Sequence, residues 1–326
     1  MSAKPYPLLF TPVYKSRLWG GDRISRLFNR GRLPGPCAES WELTDRPDGM
    51  SVVVNGPLAG WSLHDLVASM KHDLTGTAST SPVFPLLIKI LDASQRLSLQ
   101  VHPDDPSAAG RGGEPKTEMW YVLAADPGAM LYAGLRAGAK ADSFVRAVEQ
   151  GHVESLLGTI PARPGTAIYL PGGLVHAIGQ GCLLLEVQQN SDTTYRVHDW
   201  GRVDRDGKPR ETHLEQALRV INWGLSTPET IEPKKVREGG GNSVWEVLST
   251  PYFHMTRLDV ARPEAVTNDG RSFHAIFVAT GAVGVEGNGV IEKLAIGASC
   301  LFPASLREYT LRPIAGPAAI LSISLV

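Results

Sequence analysis

Four side chains able to donate to a metal ion punctuate the middle of this chain. Gln100 and His102 lie in Gln100-Val-His102, and Glu118 in Lys116-Thr-Glu118. His176 ends the run Gly165-Thr-Ala-Ile-Tyr-Leu-Pro171-Gly-Gly173-Leu-Val-His176. Nitrogen and oxygen donors without a thiolate suit zinc, manganese, iron, cobalt or nickel, and zinc is the first expectation. Such an ion lends itself to hydrolytic or isomerising chemistry. Alternation along a strand explains the spacing. Ser98, Gln100 and His102 share one face, and Leu97, Leu99 and Val101 take the other. Lys116, Glu118 and Trp120 share a face by the same parity. His176 arrives from a third strand, past the Pro171-Gly172-Gly173 turn.

The elements that must hold these groups are mostly strands. With 34 glycines and 24 prolines, short apolar runs separated by tight turns predict a β-rich fold. Strands are expected at 37–44, 51–54, 85–92, 97–102, 118–123, 129–133, 166–170, 182–189 and 195–198. Helices are fewer. Ser62 caps an apolar period running to Lys71. Residues 142–149 and 152–157 read as a short helical pair, part of a small insertion at about 136–160. Thr212-His-Leu-Glu215 has the capping-box pattern and opens a helix through Ile221. Asp104 and Asp105 read as turn caps. Residues 225–242 read as a linker. The stretch beyond it contains Gly297-Ala-Ser-Cys-Leu-Phe-Pro303, which echoes Gly165 to Pro171 without the closing histidine. The expected division is therefore a metal-binding catalytic unit over 1–224, the linker, and a metal-free β unit over 243–326.

Composition narrows the class. The chain has 326 residues, 43% of them hydrophobic, and a formal net charge of −1. That balance argues against nucleic acid as a partner. No apolar run approaches the ~20 residues of a membrane span, and the first residues lack a signal-peptide core. Cys37, Cys182 and Cys300 are widely spaced with no CxxC pair, which predicts reduced thiols and a cytoplasmic location.

The pattern Gly-x5-Pro-x-Gly-x2-His resembles the second metal motif of the cupin superfamily. Longer stretches resemble the short bacterial form of type I mannose-6-phosphate isomerases. These are Phe84-Pro-Leu-Leu-Ile-Lys89, Leu97-Ser-Leu-Gln-Val-His-Pro-Asp-Asp105, Lys116-Thr-Glu-Met-Trp-Tyr121 and Glu186-Val-Gln-Gln-Asn-Ser-Asp-Thr-Thr-Tyr-Arg196. Tyr14-Lys15, Trp19-Gly-Gly21 and Glu39-Ser-Trp-Glu42 fit the same family. The likeness covers roughly residues 10 to 223 well and the rest weakly. It implies a mainly β fold of two cupin-like (jelly-roll) barrels with a few helices, and a metal site in the first barrel only.

The resemblance also implies roles. Gln100, His102, Glu118 and His176 become ligands of one Zn2+ per chain. Arg196 becomes a catalytic arginine, whose permanent charge can steady an enediolate or grip a phosphate. Glu186 becomes a site acid. Lys116 and Ser98, on the metal-facing sides of their strands, suit a sugar phosphate by charge and hydroxyl donation. His198 follows Arg196 at i+2 and so is expected on the same strand face; it stands where the family usually has tyrosine. His64, His72, His152, His213, His254 and His274 are expected to serve packing or surface. The implied reaction is reversible isomerisation of mannose 6-phosphate and fructose 6-phosphate through a cis-enediol, by a monomer or homodimer. Its base stays open among Glu186, His198, Lys116 and a metal-bound hydroxide. A related isomerase for another phosphosugar and a non-catalytic sugar-phosphate sensor are the alternatives.

Overall fold

The computed structural model describes residues 4–33, 35–109, 113–203 and 206–326. Two double-layered β units make up the molecule, and every paired strand in them is antiparallel to its neighbours. In the first unit, one sheet has six strands in the spatial order Val13–Gly21, Cys37–Leu43, Leu86–Ala93, Cys182–Gln189, Glu118–Ala125 and Ala167–Leu170. The facing sheet has five: Tyr195–His198, Leu99–Val101, His176–Ile178, Met130–Leu135 and Leu157–Pro161. The second unit repeats the plan with a six-stranded and a four-stranded sheet. The Gly297 echo has a structural counterpart: Ser299–Phe302 and Ala167–Leu170 are each the edge strand of a six-stranded sheet.

The two six-stranded sheets pack back to back. Ile88, Ile90, Met119, Tyr121 and Val187 turn outward from the first sheet. They form one core with Phe253, Met255, Phe277, Leu321 and Ile323 of the second. Phe84 and Phe273 meet with ring centroids 4.6 Å apart. Alternation then turns Lys89, Glu118, Trp120 and Glu186 the other way, into the first barrel. Burial on both faces explains why the central strand Leu86–Ala93 is buried along its whole length.

Helices cover the outer face of the five-stranded sheet. Leu99, Val101, Val175, Ala177 and Val197 pack against Phe144 and Ala147 of the helix Ala141–Glu149, and against Ala217 and Val220 of the helix Leu214–Val220. Ser62 caps the helix Leu63–Met70 as expected, its Oγ accepting from the Asp65 N–H at 3.0 Å. No helix among the described residues is long and apolar enough to cross a membrane.

Some expected elements differ. Residues 51–54 make isolated bridges from Val52 and Val53 rather than a strand. The insertion at 136–160 is not wholly helical, since Leu157–Pro161 is the edge strand of the site-bearing sheet. The expected linker 225–242 contains the strand Lys234–Gly239, exposed throughout and paired only with Asn242–Ser249. The helix after residue 212 begins at Leu214 with His213 in the cap position and no side-chain cap, so the Thr212 capping box does not form.

Candidate metal centre and substrate cavity

A cross-strand row builds half of the site. Gln100 stands opposite His176 on one side and opposite Arg196 on the other. Partners in a ladder share a face, so all three point into the barrel. The facing sheet supplies a second row, in which Lys89 opposes Glu186 and Glu186 opposes Trp120. Glu118, two residues before Trp120, lies on that inner face as well.

The loops between these strands are tied together. The Gly173 N–H donates to the His102 carbonyl at 2.7 Å, and the Lys116 N–H to the Pro103 carbonyl at 2.9 Å. Gly172 is required by contact: a Cβ there would lie 2.5 Å from Asp104 Cα. Asp104 in turn caps the short helix Asp105–Ala108 through the Ser107 N–H at 2.8 Å.

Three donor atoms converge where the rows meet. His102 Nε2 lies 3.2 Å from His176 Nε2 and 3.5 Å from Glu118 Oε2. His176 Nε2 lies 3.3 Å from Glu118 Oε1. Each imidazole is oriented from behind. Nδ1 of His102 faces the Thr193 carbonyl at 2.8 Å, and Nδ1 of His176 faces the Leu174 carbonyl at 2.8 Å. A carbonyl only accepts, so the proton sits on Nδ1 and the Nε2 lone pair faces the centre. The Gln100 amide is 3.3 Å from His176 Nε2.

Electrostatics suits this cluster to a cation. Burial drives the His176 pKa down to about 4 and holds His102 well below its ordinary value. Both rings are therefore neutral and ready to ligate. Burial, aided by the charge of Glu186, pushes the Glu118 carboxyl up to about 7. Both Glu118 oxygens are buried without a hydrogen-bond partner. An orphaned carboxylate facing two neutral imidazoles is what a divalent cation would satisfy. His102, Glu118 and His176 therefore fit a divalent metal, and they are the one such group among the described residues.

A cavity of about 440 Å³ opens beside this cluster, lined by Ser98, Gln100, Lys116, Glu186 and Arg196. Lys116 Nζ reaches to 3.2 Å from His102 Nε2 and 3.5 Å from Glu118 Oε2. Arg196 donates from Nη1 to the Glu211 carbonyl at 2.8 Å, while its Nε is buried and unpartnered. Burial and then the charge of Arg210 lower its pKa. Asp199 pairs with Arg202 and Arg210 instead. Glu186 is fully engaged: Oε1 lies 3.0 Å from Lys89 Nζ, and Oε2 accepts from Trp120 Nε1 at 3.0 Å. Burial works to raise the Glu186 pKa, but the Lys89 and Lys116 charges prevail and hold it below its ordinary value.

Two expected placements differ. A bulge between Arg196 and His198 breaks their shared face. His198 borders a separate depression with Arg96 and Trp200, and its Nδ1 accepts from the Trp200 N–H at 3.1 Å. Leu97 lines the cavity beside Ser98 because the regular strand begins only at Leu99.

Sequence reasoning also overlooked several groups. Lys89, Arg17 and Arg210 line the cavity. A lysine inside Leu86-Leu-Ile-Lys-Ile-Leu91 was the available signal for the first. His213, assigned to packing, fixes the Arg196 backbone: its N–H donates to the Arg196 carbonyl at 2.6 Å, and its Nδ1 accepts from the Arg196 N–H at 3.2 Å.

Paired barrels with a His-Glu-His centre in one of them define a metal-binding cupin. The model of the family described as phosphomannose isomerase type I, catalytic domain, matches residues 8–127. A probable mannose-6-phosphate isomerase of Bacillus subtilis (strain 168) is 34% identical over 308 residues, which is 94% of this chain and 96% of that one. A mannose-6-phosphate isomerase of Streptococcus mutans is 38% identical over 256 residues, covering 78% and 79%. The crystal structure of mannose 6-phosphate isomerase from Bacillus subtilis superimposes with a TM-score of 0.89 at 30% identity, covering 98% of this chain and all of the other. The chain belongs to the type I mannose-6-phosphate isomerase family.

Proposed function

We propose that this chain interconverts mannose 6-phosphate and fructose 6-phosphate through a cis-enediol(ate), with one zinc ion held by His102, Glu118, His176 and Gln100. The observation that carries the reading is the placement of the buried His-Glu-His cluster beside a cavity whose wall presents Lys116 and Arg196. When bound, the ion supplies Lewis acidity at the sugar oxygens nearest the reacting carbons.

The remaining work falls to the protein. Arg196 carries a permanent charge at the cavity wall, where it can meet negative charge developing on the substrate. Ser98 donates its hydroxyl to the phosphate and helps fix the sugar's orientation. The group that moves the proton between C1 and C2 must exchange a proton itself, which sets Arg196 aside. Glu186 has both oxygens taken up and is kept ionised, so its part is to hold Lys89 and shape the field. His198 lies outside the cavity. Lys89 is held by Glu186 at 3.0 Å, so of the side chains at the cavity we assign the proton shuttle to Lys116.

This reading places the chemistry in residues 1–224 and a supporting role in 243–326. Buried free Cys37, Cys182 and Cys300 accord with a reducing, cytoplasmic setting. The test is conversion of mannose 6-phosphate by the purified chain, followed by detection of fructose 6-phosphate. Turnover of another aldose phosphate in preference to mannose 6-phosphate would move the assignment to a related isomerase. Binding without turnover would make the chain a sensor.

A further inference from the structure

A second cavity, of about 530 Å³, opens at one end of the second β unit. The inner face of that six-stranded sheet is apolar along most of its length, where Leu258, Val260, Ile276, Val278 and Ile320 pack together with Phe302 and Tyr309. The period of two then carries polar side chains onto the same face at the strand ends. His254 follows from Leu258 and Val260, His274 from Ile276 and Val278, and Ser324 from Ile320. Register sets His254 between Ser249 and Ser324. A face built for a core thus ends in imidazoles and hydroxyls bordering a void.

These groups have hydrogen-bonding capacity to spare. His254 Nε2 faces Glu246 Oε2 at 3.5 Å, and both side chains border the void. His274 engages the Tyr309 hydroxyl through Nδ1 at 2.8 Å, which leaves Nε2 for another partner. The hydroxyls of Ser249, Thr267 and Ser324 line the same void and offer further donors and acceptors to an occupant.

The chemistry of the walls selects its class. A metal ion is disfavoured, because His254, His274 and Glu246 do not close into a compact donor group as His102, Glu118 and His176 do. A phosphate is disfavoured too, because Glu246 and Asp269 outnumber Arg271 around the cavity. We propose that this end of the second barrel binds a neutral polyhydroxylated ligand of monosaccharide size, whose hydroxyls alternate as donors and acceptors against the imidazoles and serines.

Ligand-observed saturation-transfer NMR on the full chain tests this, with free mannose and mannitol as probes. The equilibrium mixture of mannose 6-phosphate and fructose 6-phosphate is added in excess to fill the first cavity. The expected result is saturable transfer to at least one probe in the millimolar range. It should weaken about tenfold or more in His254→Ala and in Ser324→Leu, which blocks the void, with isomerase turnover unchanged in both. No saturable transfer to either probe overturns the proposal, as does transfer unaltered in both variants. Competition by inorganic phosphate or by a second equivalent of zinc also overturns it, by marking an anion or metal site instead.

Discussion

Lys89 and Glu186 stand opposite each other on neighbouring strands, with Nζ 3.0 Å from Oε1 and both side chains buried. Burial works to lower the Lys89 pKa, yet the charge of Glu186 prevails and raises it. The pair therefore stays ionised across the neutral range and fixes a local field beneath the cavity floor. Removing one partner leaves an uncompensated buried charge.

Lys89→Met should accordingly destabilise the fold by about 3–5 kcal/mol. Replacing both partners, Lys89→Met with Glu186→Leu, should recover much of that loss, because no lone charge then remains. Urea unfolding midpoints of the single and double variants measure it. A double variant less stable than the sum of the two single losses would contradict the pairing.

Arg196→Ala should fold, keep its metal and lose turnover by about 10²–10³-fold, the usual scale for one contact to developing negative charge. Its guanidinium pairs with no carboxylate among the described residues, so little stability should go with it. Elemental analysis and steady-state kinetics on the same preparation check both halves. Turnover close to that of the parent would remove Arg196 from the reaction.

Asp199 carries a prediction about acid stability. Burial alone would raise its pKa, but hydrogen bonds from Arg210 and Arg202 hold it below the ordinary carboxylate value. The folded state therefore binds this proton less readily than the unfolded chain. The stability it contributes is fully present above about pH 4, the unfolded value. It is lost as pH falls through the lower folded value. Asp199→Asn should thus show its full deficit at pH 7, and a shrinking one as both proteins are unfolded at successively lower pH below 4. A deficit independent of pH would mean that packing, not charge, is what Asp199 provides.

The cluster of His102, Glu118 and His176 was legible because chemistry and geometry coincide in it. Gln100 and His102 sit at strand parity, and His176 follows a turn whose glycines are needed where Gly172 meets Asp104. Lys89 was not legible as a site group. In a strand buried on both faces the apolar run masks alternation, so an inward lysine reads as an interruption. Lys234–Gly239 read as linker because an edge strand exposed on every residue carries no apolar period at all. His198 was misplaced because a single bulge reverses parity, and the sequence carries no mark of it. The second barrel was anticipated from one glycine-proline echo. Its polar open end was not, since the strands carrying His254 and His274 are brought side by side through the distant strand Ala318–Ser324, which pairs with both.

The central claim is that the His102-Glu118-His176 cluster holds a divalent metal on which isomerisation depends. The most direct measurement follows conversion of mannose 6-phosphate to fructose 6-phosphate in the native chain, after exhaustive chelation and after zinc add-back, with Glu118→Gln alongside. The account predicts one equivalent of metal in the active protein, activity abolished by chelation and restored by zinc, and neither metal nor activity in Glu118→Gln. Full activity in the metal-free protein, or a Glu118→Gln variant that retains both metal and turnover, would contradict it.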